Sequence, residues 1–94
     1  MTFHKIELSY DKALCAAYHT YSRYREFHEW AMAHCDDADA DTRKNMAEQD
    51  AIMYAEVRGQ LALIARLFAW DDIDETTIQM ELNEMYEANE DALA

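Results

Sequence analysis

"TRKNMAEQDAIMYAEVRGQLALIARLFAW", residues 42–70, decides the fold. At 100° per residue, Met46, Met53, Val57, Leu61, Ile64 and Phe68 line one stripe of a helix. The opposite side is apolar as well. Ala51, Ala55, Gly59, Ala62 and Ala69 stand there, with Arg58 and Arg66 beside them, while Ile52, Leu63 and Trp70 fill a flank. A helix apolar on several sides is normally surrounded. Small residues at i, i+4 spacing let a second backbone approach. Gly59 costs about 1 kcal/mol against Ala in a helix interior, and close packing is the expected reason for it.

Upstream, Ser9 is the expected N-cap of a first helix over 9–34, with Asp11 favourable in its first turn. Leu14, Ala17, Tyr18, Tyr21, Tyr24, His28, Met32 and Cys35 share its broad inner face. Arg23, Phe27, Trp30 and His34 lie away from that face, where a monomeric helix on a small core places polar groups. Aromatic side chains there suggest a second interface, the alternative being that another part of the chain covers them. Residues 2–8, "TFHKIEL", alternate weakly and suggest a short extended arm over 1–8. "DDADADT" (36–42) is an acidic loop that leads into the second helix, with Asp41 or Thr42 as the expected cap.

Downstream, "DDIDE" (71–75) ends the second helix and starts a third, over 74–92. With Asp74 as N-cap, Ile73 and Ile78 have the spacing of a hydrophobic staple. Ile78, Leu82, Met85 and Tyr86 give this helix its apolar stripe. The expected architecture is all-α: two long antiparallel helices and a shorter acidic C-terminal helix in a three-helix bundle, within a single domain of 94 residues. One glycine and no proline agree with few turns.

Net charge is −12, and it is uneven. Residues 1–35 balance to zero, residues 36–50 carry −4, residues 51–70 carry +1, and residues 71–94 carry −9 with no Lys or Arg. That last segment holds Asp71, Asp72, Asp74, Glu75, Glu81, Glu84, Glu87, Glu90 and Asp91. From Glu75 to Asp91 six carboxylates span about 24 Å of helix, one per about 4 Å. One DNA strand carries a phosphate charge per about 3.4 Å, and carboxylates accept from Arg and Lys as phosphates do. No lysine is interspersed, whereas a merely solubilising surface mixes signs. Such a field repels nucleic acid and anionic membranes and attracts basic protein surfaces.

Other chemistry is weakly signalled. Asp37, Asp39, Asp41 and Glu48 occupy positions 1, 3, 5 and 12 of an EF-hand-like stretch, but Thr42 stands where that loop turns on glycine, and Lys44 where it carries an aliphatic residue. A solvated loop is the expectation there, without calcium. Cys15 and His19 are one turn apart, and His34 and Cys35 are adjacent, but two ligands do not close a zinc shell. Cys15 and Cys35 read as core thiols in a reducing compartment, and His28 as a partly buried histidine. Phosphate loops and nucleophile elbows are absent, so neither enzymatic activity nor a cofactor is expected. No secretory signal or membrane span is visible, which suggests the cytoplasm.

In composition and helical character the chain resembles phage-encoded inhibitors that mimic DNA. The resemblance implies a host-cytoplasmic, non-enzymatic inhibitor or regulator, whose acidic surface occupies the basic groove of a nucleic-acid-binding protein such as a CRISPR effector or a restriction enzyme. The two-sided second helix and the aromatic face of the first favour a homodimer. The alternative is a structural helical adapter whose acids only confer solubility; a third reading is a bundle for a metal or small ligand.

Overall fold

A computed structural model describes residues 9–93, with the side chains of residues 9–89. The arm expected over 1–8 lies outside them. Among the described residues there are three long helices and no strand: α1 (Tyr10–His34), α2 (Ala40–Leu67) and α3 (Glu75–Leu93). Short 3-10 turns, Cys35–Asp37 and Ala69–Asp71, join them.

Each helix begins on a side-chain oxygen. Ser9 is extended and accepts from the Lys12 amide at 3.1 Å. Asp39 accepts from the Thr42 amide at 2.7 Å, and Asp74 from the Thr77 amide at 2.8 Å. These bonds satisfy amides that have no partner inside the helix, and the carboxylates face the positive end of its dipole. Hydrogen bonding to Thr42 and Thr77 holds Asp39 and Asp74 below the ordinary carboxylate pKa. The second helix therefore starts at Ala40, on Asp39, not on Asp41 or Thr42. Its regular part ends at Leu67, and the chain tightens through Ala69–Asp71 before Asp72 turns it with a left-handed φ of 55°. Aspartate tolerates that region better than most residues.

The core is where the three stripes meet. Ala17 and Tyr21 of α1, Val57, Leu61 and Ile64 of α2, and Ile78, Leu82 and Tyr86 of α3 are buried together. Ile73 packs against this cluster, to which Ile78 belongs. Tyr10 stands edge-on to Phe68 at 5.5 Å and closes the end where α1 begins and α2 finishes.

α3 crosses the α1–α2 pair from one helix to the other. Its first turns, with Glu75, Thr76 and Gln79, lie beside Tyr54, Arg58 and Leu61 of α2. Its later turns, through Asn83, Tyr86 and Asn89, bond Tyr18, Tyr21, Arg25 and Glu29 of α1. The far end of the pair gets no such cover. Met32, expected on the inner face of α1, is exposed for that reason, although Met46 nearby is buried. The molecule is accordingly long, 60 × 30 × 22 Å. It exposes 7244 Å², against about 5,600 Å² for a compact monomer of 11.0 kDa.

Candidate functional site

The acidic segment divides into carboxylates that the fold uses and carboxylates that it leaves in water. Asp74 is committed as the cap of α3. Glu81 is half-buried and accepts from the Tyr10 hydroxyl, which brings together residues 71 positions apart. Burial, and then the Glu81 bond and charge, push the Tyr10 pKa above its ordinary value. Glu75 is also half-buried. Asp71, Asp72, Glu84 and Glu87 are exposed, and Glu87 accepts from the Asn83 amide at 3.2 Å. The side chains of Glu90 and Asp91 lie outside the described residues. Two ion pairs occur among the described residues, Arg25–Glu29 and His28–Asp50, and neither involves residues 71–89.

The expected second interface forms a ladder along α1. Phe27 and Trp30 have ring centroids 6.0 Å apart, and Trp30 stacks on His34 at 4.8 Å. His34 Nδ1 donates to the Trp30 carbonyl oxygen at 2.7 Å, which fixes the imidazole under the indole. Trp30, His34 and Arg23 are exposed and Phe27 is half-buried, so neither α2 nor α3 covers this ladder.

A third arrangement, without a signal in the local sequence, centres on Arg25. Its guanidinium donates to the Tyr21 hydroxyl at 3.0 Å, to Glu29 Oε1 at 3.2 Å and to Asn83 Oδ1, and it lies 4.7 Å from the centroid of the Tyr86 ring. Tyr86 in turn donates to Glu29 Oε2 at 2.9 Å, and Tyr21 to Asn83 Oδ1 at 3.1 Å. Burial opposes the Arg25 charge, but Tyr21 and Glu29 outweigh it and raise the pKa. The group pins α3 to α1. It borders an open groove of about 490 Å³ lined by Tyr21, Tyr24, Arg25, His28, Tyr54 and Met80 among others.

His28 lies between helices, with Nδ1 2.8 Å from Asp50 Oδ1 and its ring 5.6 Å from that of Tyr24. Burial, reinforced by the Asp50 charge, raises the Tyr24 pKa. The cysteines are not core thiols: Cys15 is exposed and Cys35 half-buried, donating to the Met32 carbonyl oxygen. Cys15 sits off the inner stripe of α1, and Cys35 lies past its end, beside the start of α2, where α3 does not reach. Asp41 and Glu48 stand inside α2, so residues 37–48 do not form a loop of the EF-hand type. Among the described residues no three His, Cys, Asp or Glu side chains gather closely enough to hold a metal ion. No helix among them is long and apolar enough to cross a membrane.

Comparison of the chain with family models, with curated proteins and with solved structures gave no match.

Proposed function

We propose that this chain is a non-enzymatic regulator that presents the carboxylates of its 71–94 segment to a basic groove of a nucleic-acid-binding protein, an inhibitor of the DNA-mimic kind. The observation that carries this reading is the solvated set Asp71, Asp72, Glu84 and Glu87, on a segment with no Lys or Arg and no ion pair among the described residues. Asp71, Asp72 and Glu84 accept no side-chain hydrogen bond among the described residues, and Glu87 accepts one, from Asn83, with its second oxygen left for an incoming Arg or Lys. Glu81 and Asp74 support the surface instead of forming it, since their oxygens are engaged by Tyr10 and the Thr77 amide. Glu90 and Asp91 extend the same run of charge.

Duplex DNA and the chain should therefore compete for one groove. The test is a salt-eluted pull-down, followed by binding kinetics of the recovered protein with and without a DNA duplex. Glu84→Gln with Glu87→Gln should slow association and flatten its salt dependence, with melting unchanged or slightly improved as like-charge repulsion is relieved. Unchanged binding by this pair of variants, or simultaneous binding of duplex and chain, would remove the acidic surface from the function.

The same reading has the chain acting as a homodimer, through the α1 ladder or the outer side of α2. A second reading, a helical adapter, is favoured by the exposure of Trp70, which is 96% open to solvent at the end of α2. An adapter built on apolar contact would hold its partner as salt rises, whereas an electrostatic mimic would release it.

A further inference from the structure

The small residues of α2 do not meet another part of the described chain. A Cβ placed on Gly59 would find nothing within 4 Å. Among the described residues nothing packs closely on this glycine, so its helix-propensity cost of about 1 kcal/mol has no return there. The large side chains beside it are just as open. Ile52 and Leu63 are each 56% exposed, and Leu67 and Trp70 are exposed too. At 100° per residue Ile52, Leu63 and Leu67, with Glu56, Gly59 and Arg66, occupy one sector of α2 about 100° wide, and Trp70 follows in the turn after the helix. The sector points away from Val57, Leu61 and Ile64, through which α2 joins the core.

The geometry points to a second copy of this chain as the occupant of that sector, with the two α2 helices packed antiparallel about a two-fold axis. This rests on the homodimer part of the reading above and names its surface. Charge sets the register. Glu56 and Arg66 are both exposed, neither has an opposite charge three or four residues away, and neither forms an ion pair among the described residues. An antiparallel pairing that brings Glu56 beside the partner's Arg66 forms this contact twice by symmetry. The same register sets Gly59 against the partner's Leu63 and Ala55 against the partner's Leu67. Large side chains then enter the spaces over small ones, the condition for helix axes to approach within about 8–10 Å. Pairing Arg66 with Glu48 instead would set Gly59 against the partner's Ala55, small against small, and leave no large side chain over the glycine. Repulsion between two chains of net charge −12 is screened at about 0.15 M salt, where the Debye length is about 8 Å.

Sedimentation equilibrium of the full chain, from about 1 to 200 µM, tests this across the range in which a modest dimer dissociates. The wild type should sediment at twice 11.0 kDa. Glu56→Arg and Arg66→Glu should each raise the dissociation constant about tenfold or more, because each sets like charges face to face. The double variant should return to within about threefold of wild type, since the pair is re-formed with its signs exchanged. Trp30→Glu should leave the mass unchanged. All three substitutions are at exposed positions, and circular dichroism checks that the helices remain. A wild type that stays at 11.0 kDa overturns this interface and the homodimer reading together. A wild-type dimer that ignores both charge reversals but dissociates with Trp30→Glu overturns only this interface and moves the dimer to α1. A double variant no better than the single ones overturns the register.

Discussion

Leu82→Ala is expected to cost this protein about 3 kcal/mol, within the 2–5 kcal/mol typical of a leucine truncated in a core. Leu82 is 0% exposed and stands in the middle of the α3 stripe, between Ile78 and Tyr86. It belongs to a buried cluster to which all three helices contribute, so a cavity there has little room to collapse. A small domain with about 5–15 kcal/mol in total loses a large fraction of its margin. At about 4–8 °C per kcal/mol for a domain of this size, the melting temperature should fall by about 12–24 °C. Met80→Ala on the same helix is the control. Met80 is 60% exposed, and its loss should move stability by no more than about 0.5 kcal/mol. Urea titration of both variants decides the matter; equal midpoints would mean that α3 is not seated on the stripe described.

Arg25→Ala should be the next most damaging change, although Arg25 is not in the apolar core. The guanidinium joins Tyr21 and Glu29 of its own helix to Asn83 of α3 and rests over the Tyr86 ring. Hydrogen bonds to a charged group are worth about 1.5–3 kcal/mol, and a cation over an aromatic face about 0.5–1 kcal/mol at a partly exposed site. Solvent reaches the Arg25–Glu29 pair, so that ion pair adds little and the α3 contacts carry most of the effect. A loss of about 2 kcal/mol is expected. Arg25→Lys should recover only part of it, because an ammonium cannot reproduce the planar fork that serves Tyr21, Asn83 and Glu29 at once. The checking measurement is the stability of both variants in an Asn83→Ala background. A role in pinning α3 requires the Arg25 effect to shrink there; an undiminished effect would confine the guanidinium to α1.

Much of the fold was legible in the sequence because local rules govern helix ends and stripes. Ser9, Asp74 and the Ile73/Ile78 spacing could be read from short-range chemistry alone; the structure caps helices on the first two and packs both isoleucines into or against the core. The start of α2 was misplaced because "DADAD" offers aspartate at every second position, and several of them can cap. The choice of Asp39 depends on how few residues turn the chain between α1 and α2. The division of the acidic segment was illegible for a different reason. Glu81 looks like Glu84 and Glu87 on a helical wheel, but it meets Tyr10 only because α3 crosses toward the start of α1. The Arg25 group has the same origin, since Asn83 and Tyr86 arrive from 58 and 61 positions away. The aromatic ladder of α1 was legible as a ladder, because i, i+3 and i, i+4 spacing fixes it without help from tertiary structure.

The crossing of α3 also orders events in time. α1 and α2 are joined by one 3-10 turn and two further residues, so their pairing closes a short loop and loses little chain entropy. The bonds of α3 to α1 close loops of 57 to 71 positions, which are costlier to form and slower to find. The hairpin is thus expected to assemble first and α3 to seat last. By the same reasoning α3 lifts away first, as a cooperative unit whose opening uncovers Ile78, Leu82 and the hairpin surface beneath them without melting the hairpin. Amide protons of α3 should then exchange with solvent ahead of those in the middle of α1 and α2, and uniform exchange across the three helices would contradict this order.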